Sequence, residues 1–270
     1  MVRVRFVFTI IVTTLLIGTL CLLRVQAIGG RARSMNDSTR RTPVLVELFT
    51  SEGCSDCPPA DALLERLDRS QPVSGADLIV LSEHVDYWNN IGWKDPFSSP
   101  QFSERQGTYA SQFRLDSVYT PQMVVDGRIQ LVGSDERGAI RAIGIAAKAE
   151  KIPVRLSSIH FEGKKIALHL DTGPSPSSAA ESFPIVLLAI ADENDQSNVS
   201  NGENAGRTLS HVAVLRDLVR VGALDRAGNF SQDVAINFNR DNNRNLRIVA
   251  IVQEPTTGRV LGVGSARLSN

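Results

Sequence analysis

Cys54-Ser55-Asp56-Cys57 puts two thiols two residues apart, a spacing at which one thiolate attacks a disulfide and the other resolves the mixed disulfide. The pair follows an apolar run, 44–50, and precedes Pro58-Pro59 and a stretch carrying Leu63, Leu64 and Leu67 at helical spacing. Prolines are tolerated in a first helical turn, where their missing N–H groups would have no partner. The pair is therefore expected at a strand-to-helix turn, where the helix N-terminus favours a thiolate. Cys54, at an exposed turn, is the expected attacking thiol, and Cys57, inside the first helical turn, the resolving one. Glu52 and Asp56 oppose the helix, since nearby negative charge disfavours a thiolate. A moderate thiol is expected, not the strongly acidic thiol of an oxidase.

The elements around the pair follow from periodicity. Residues 76–83 read as a second buried strand, so 44–83 forms strand, helix, strand with a right-handed parallel crossover. Both strands then end at one sheet edge, the edge where open α/β sheets place ligands. His84, Asp86, Tyr87 and Trp88 should emerge there, beside the cysteines. An inserted loop, 89–100, and a helix, 101–113, come next. Residues 119–131 read as strand, Asp126-Gly127 hairpin turn and strand, and 136–151 as an Ala-rich helix. Thr120-Pro121 precedes that hairpin, and its place resembles the one where thioredoxin folds keep a cis proline facing the Cys pair. Its backbone would hold an extended substrate segment by strand-like hydrogen bonds, so Thr120 and Pro121 are the expected substrate groove.

This order resembles the thioredoxin fold, and the likeness extends to particular residues. The stretch 46–61 (VELFTSEGCSDCPPAD), His84-Val85-Asp86-Tyr87-Trp88-Asn89 and Gly92-Trp93-Lys94-Asp95-Pro96-Phe97 resemble the exported, thioredoxin-like family catalogued as domain of unknown function 1223. Arg105-Gln106 and Thr120-Pro121-Gln122 fit the same pattern. The resemblance implies a fold and a site around the Cys pair, and no established reaction.

Other readings of the same residues remain open. The disulfide could be purely structural, although a four-residue loop gives little entropic stabilisation. Cys54, Cys57 and His84 could bind copper(I) or zinc. Copper-delivering thioredoxin-like proteins space their cysteines by three residues, whereas this chain has two, and it has no second Cys pair or His-x-x-x-His. The main reading assigns no metal and no organic cofactor. His84 reads either as a proton shuttle for Cys57 or as a hydrogen-bonded histidine at a strand end. Asp86 either tunes a thiol or caps the following turn. Tyr87, Trp88 and Trp93 either form an apolar lip for a peptide or pack the inserted loop.

The ends of the chain frame this site. Arg3 and Arg5 precede an uncharged apolar run, 6–23, followed by Arg24 and small residues. Residues 1–28 thus read as an export signal, with a membrane anchor through 6–23 as the alternative. A disordered tether, 29–42, and a thioredoxin-like domain, 43–151, follow. Cleavage would remove Cys21 and leave the pair as the only cysteines of a periplasmic or secreted protein. The expected partners are exported protein thiols or disulfides and an unidentified redox partner. With 29 basic and 29 acidic residues in 270, nucleic acid is not an expected partner.

From 152 to 270 the pattern changes to a β-rich, sandwich-like domain. A first alternating strand is expected to open at 154–156 and to turn at Gly163-Lys164 into a second, 165–171; further strands are expected at 184–191, 208–224, 247–253 and 260–266, with loops at 172–182 and 192–206. Asn198-Val199-Ser200 matches a glycosylation sequon. Asn204-Ala205-Gly206-Arg207 resembles a family stretch, in which Arg207 either pairs with a substrate carboxylate or is a solvated loop arginine.

Overall fold

In a computed structural model, residues 41–174, 183–238 and 245–268 are described. The signal or anchor expected over 1–28, all of the tether but residues 41 and 42, and most of the loop expected over 172–182 lie outside them. Thr42, assigned to the tether from sequence, already belongs to the first strand.

Strand β1 (Thr42–Thr50) is followed by helix α1 (Pro58–Ser70) and strand β2 (Ala76–His84). In α1, Leu63, Leu64 and Leu67 are buried, and Pro58 and Pro59 open the helix. Gln71 closes it in the left-handed region, at φ 48°. The Gln71 side chain then accepts from Leu78 N at 2.7 Å and donates to Leu78 O at 3.0 Å, which fixes where β2 begins. β1 and β2 run parallel with Thr50 opposite His84, so both end at one edge, as expected.

Helix α2 (Pro100–Phe113), the hairpin β3 (Gln122–Val125) and β4 (Ile129–Val132), and helix α3 (Glu136–Ala146) complete the first half. β3 pairs antiparallel with β1 and β4 with β3. Asp126 and Gly127 both have positive φ, 51° and 60°, which suits the twist of a two-residue hairpin. A glycine is required at 127 for a second reason, since a Cβ there would overlap the Gly258 carbonyl. The tip of this hairpin therefore abuts the turn between the last two strands.

The second half contains β5 (Val154–Glu162), β6 (Lys165–Thr172), β7 (Ile185–Asn198), β8 (Thr208–Ala223), β9 (Ser231–Asn237), β10 (Leu246–Gln253) and β11 (Val260–Leu268). Eight strands form one mixed sheet in the order β11-β10-β7-β8-β2-β1-β3-β4, and β5-β6-β9 form a small second sheet. The protein is thus mostly β with few helices, an α/β architecture.

The expected boundary at 151–152 does not separate two sheets. β8 lies beside β2 in parallel, with Ser82 opposite Val214, and Arg41–Asn270 is one compact unit. The reason is apolar: Leu78, Ile79, Val80 and Leu81 are all buried, so β2 has no solvated face and needs a neighbour along its free edge. The expected sandwich exists in part. On β7, Val186, Leu188 and Ile190 share a core with Ile166, Leu168 and Leu170 of the small sheet. The alternate residues Leu187, Ala189 and Ala191 join the main core with β1, β2 and α1.

Three elements differ from expectation. α3 stops at Ala146, whereas β5 runs from Val154 to Glu162, up to the expected Gly163-Lys164 turn. β7 continues through Asn198 in what reads as a polar loop, because its outer half pairs with β8 up to Asn198 opposite Thr208. β9 was not expected, since only Ile236 is buried in it and its apolar pattern is faint. Among the described residues, no helix is long and apolar enough to cross a membrane.

Candidate functional site

Cys54 and Cys57 form a disulfide, with Cα atoms 5.4 Å apart, in the turn between β1 and α1. Cys57 occupies the cap position of α1, one residue before the expected first turn. Its carbonyl accepts from Ala60 N at 2.8 Å and Asp61 N at 3.1 Å. Pro58 and Pro59 carry no N–H. The first turn thus aims few free donors at the sulfurs, and its help to a thiolate is weaker than an ordinary helix start would give.

The exposed turn expected for Cys54 is not observed: Cys54 is 1% exposed and Cys57 0%. Ser55 and Asp56 between them are exposed, but the segment after β7 straps the turn down. Glu203 Oε2 accepts from Ser55 N at 3.0 Å. Asn204 Nδ2 donates to Glu52 O and Cys54 O, each at 2.9 Å, and Arg207 donates to Asn204 Oδ1 at 3.0 Å. The family stretch 204–207 therefore braces the Cys turn, and Arg207 orients Asn204. Gly53 lets Trp88 approach closely, since a Cβ at 53 would lie 3.1 Å from the Trp88 Cβ.

The Thr120–Pro121 bond is cis. Trp88 Nε1 donates to Thr120 Oγ1 at 2.8 Å, so Trp88 is held against the proposed groove. Gln106, buried on α2, donates to Tyr119 O at 2.7 Å and to Gln122 Oε1 at 2.9 Å, and so pins the segment on both sides of Pro121. A Cβ on Gly133 would meet Leu48, Pro121 and Ala60, which places Pro121 beside the start of α1. The Pro121 carbonyl already accepts from Gly133 N at 2.8 Å.

His84 lies at the expected edge and is fully buried. Its Nδ1 meets Asp95 Oδ2 at 2.7 Å, and Asp95 also accepts from the N–H groups of Glu52, at 2.8 Å, and Phe97, at 2.9 Å. Burial alone would raise the Asp95 carboxyl, but His84 and these two N–H groups outweigh it and hold the group at about 2. Asp86 bonds to Ser103 of α2 through its N–H, at 3.1 Å, and its carboxylate, at 2.5 Å; it anchors the post-β2 turn to the helix.

Glu52 is buried and many-partnered rather than a loose acidic neighbour. Its carboxylate accepts from Trp93 Nε1 at 2.7 Å and from Ser197 Oγ. It also faces His211 Nε2 at 3.3 Å. His211 was not expected at the site. It comes from β8, stands edge-on to His84 with ring centroids 4.6 Å apart, and faces Asp61 of α1 at 3.8 Å. Burial lowers its basicity, but Asp61 and Glu52 outweigh burial and push it up to about 10. The only sequence signal was a lone histidine in a partly alternating strand, and nothing local placed that strand beside β2.

Cys54, Cys57 and His84 are not gathered as metal ligands. Among the described residues, no group of three or more His, Cys, Asp or Glu side chains is placed to hold an ion. A second buried polar cluster lies on the opposite face of the sheet. Arg105 donates to Glu47 at 2.7 and 2.5 Å and to Gln253 at 3.2 Å, and Tyr109 donates to Glu47 at 2.7 Å. This cluster ties α2 to β1 and β10.

A disulfide at the edge of a mixed eight-stranded sheet, backed by buried acids and two histidines, defines an α/β protein with an enclosed Cys-x-x-Cys site. The chain belongs to the family described as protein of unknown function (DUF1223), whose model matches residues 45–253. It is similar to a structural-genomics protein of Agrobacterium tumefaciens, with 27% identity and a TM-score of 0.64 over 86% of this chain and 96% of that one. It shares a fold with HBP35 of Porphyromonas gingivalis, with 14% identity and a TM-score of 0.64 over 86% of this chain and 76% of that one. No curated protein sequence matches it.

Proposed function

We propose that this is an exported thioredoxin-like protein that exchanges disulfides with other exported proteins through Cys54 and Cys57. The observation that carries the reading is the disulfide itself, closed between a strand end and a helix start, with Pro121 beside the same helix start. The order β2-β1-β3-β4 within the large sheet supports the thioredoxin-like assignment. The N-terminal run 6–23 directs export in this reading.

In the oxidising direction a substrate thiolate attacks Cys54 Sγ, the Cys54–Cys57 bond breaks, and Cys57 leaves as a thiolate. The substrate's second thiolate then attacks its own sulfur in the mixed disulfide and releases Cys54. The substrate is oxidised to a disulfide and the pair is reduced to two thiols; reduction of a substrate runs the same steps backward. A second exported dithiol or disulfide protein must reset the pair. Thr120 and Pro121 flank the extended substrate segment, and the 199–207 segment must lift for Cys54 to be reached.

The test is insulin reduction and RNase refolding by the purified protein over a range of glutathione potentials. Activity is expected, with loss in Cys54→Ala; an inactive wild-type protein sinks the reading. Burial of both cysteines favours a second reading, a structural bond in a non-catalytic binding module. A reduction potential below roughly −300 mV would decide for it.

A further inference from the structure

Helix α2 does not fill the sheet face it lies on. Ile185 and Leu187 alternate onto that face from β7, and Leu218 and Arg220 do so from β8. Arg220 stands opposite Leu187, and Gln253 of β10 stands opposite Ile185. Between these strands and α2 a cleft of about 400 Å³ remains, a volume that suits a small ligand. Its floor, Ile185, Leu187 and Leu218, is apolar. The helix is tied to the strands near both of its ends. Gln101 Nε2 donates to Leu218 O at 2.8 Å, and Gln112 packs on Gly258, where a Cβ would overlap its amide. The cleft is therefore a slot with closed ends, shaped for a compact molecule and not for an extended peptide running through it.

The polar groups of the slot are mostly donors. Arg105 lines it with a side chain only 11% exposed. Its Nε and Nη2 donate to Glu47, Nη2 also donates to Tyr109 Oη at 3.1 Å, and Nη1 donates to Gln253 Oε1 at 3.2 Å. A guanidinium carries one more N–H than these bonds use, so one Nη1 hydrogen has no partner among the described residues. Glu83 lies 3.5 Å from Arg105 Nε, but burial and the neighbouring Glu47 raise its carboxyl, so it stays protonated and adds no second negative charge. At the rim Arg220 is exposed and donates through Nε to Gly222 O at 3.5 Å; its terminal nitrogens have no partner among the described residues. Glu254, the acid on the rim, is engaged by Thr257 of its own turn.

We propose that this slot binds a small carboxylic acid with an apolar body. The carboxylate takes the spare Nη1 hydrogen of Arg105 and the terminal N–H groups of Arg220, since guanidinium groups present donors in the geometry a carboxylate accepts. The apolar body lies on Ile185, Leu187 and Leu218. Glu47, Tyr109 and Gln253 already hold Arg105 in place, so binding orders little that is not ordered beforehand. The slot lies on the α2 side of the sheet, opposite the Cys pair, and its ligand does not depend on the thiol-disulfide reading.

The experiment is calorimetric titration of the full chain with phenylacetate and octanoate, each beside its neutral primary amide. At least one acid is expected to bind saturably at a single site, about tenfold or more tighter than its amide. Arg220→Gln is expected to weaken the acid about tenfold and leave the amide unchanged. Thr108 is exposed on α2 and lines the slot, so Thr108→Trp is expected to fill it and abolish binding of acid and amide alike. Both substitutions are at exposed positions, and thermal midpoints matching wild type verify the fold of each variant. No saturable binding of either acid, equal binding of acid and amide, or wild-type acid binding in either variant would overturn the proposal.

Discussion

Glu52 shows how burial changes what a residue does. In the sequence it is an acid two positions before a thiol; in the fold it is enclosed by Trp93, Ser197 and His211. Trp93→Phe is expected to cost about 2 kcal/mol in urea denaturation, because it leaves a buried carboxylate oxygen unpaired. The histidine gives a pH signature of definite sign. His211 is raised from an ordinary 6.5 to about 10, so its contribution to stability is complete below about 6.5 and is lost as pH rises toward 10. Asp95, lowered from 3.8 to about 2, contributes above 3.8 and loses its contribution as pH falls toward 2. Urea midpoints are expected to decline in both windows, and the alkaline decline is expected to flatten in His211→Gln. An unchanged alkaline slope in that variant would show that His211 is not the titrating group. The cysteines, His84, Asp86, Trp88 and Thr120-Pro121 were legible because local spacing and one parallel crossover place them at a single edge. His211, Asn204 and Ser197 were not, since their position depends on which strand β2 selects as its neighbour, a choice no local pattern encodes.

Among the elements, the 199–207 segment has the greatest bearing on the site. It reads as a polar, Asn- and Gly-rich loop, yet Asn204 and Glu203 make the bonds that close over Cys54. Asn204→Ala removes both carbonyl contacts and is expected to speed dithiothreitol reduction of the disulfide about tenfold, through easier opening of the cover. A rate equal to wild type would show that the segment is not the barrier. The β3–β4 turn makes a comparable long-range contact. Gly127→Ala must place a Cβ against the Gly258 carbonyl at positive φ, with an expected loss of about 2 kcal/mol or more in thermal unfolding. The helices α1 and α2 and the β3–β4 hairpin agree with expectation to within a residue or two, because capping prolines, apolar spacing and an Asp-Gly turn are local signals. β9 and the outer half of β7 are held mainly by their pairing partners, and their own composition says little.

At the level of the whole molecule, the large sheet joins regions that the sequence pattern separates. β8 covers β2, Gln253 completes the Arg105–Glu47 cluster, and Arg247 of β10 pairs with Asp68 of α1 at 2.8 Å. A fragment ending at Lys151 is therefore expected to lack a cooperative thermal transition, its β2 edge unpaired and its Cys turn uncovered. A sharp calorimetric transition in that fragment would show that the first half folds alone. The sequence pattern separated the halves because periodicity changes at 152, but a change of period marks a change of element type and need not mark a domain boundary.

The bond from Asn204 to the Cys54 carbonyl spans 150 residues of chain. At ordinary synthesis rates the cysteines leave the ribosome about 8 to 30 s before the residue that shuts them in. During that interval the thiols of an emerging chain lie open to any oxidant they meet, and afterwards they are enclosed. The order in which the chain is made thus gives the pair one early period of free access that the finished protein withholds.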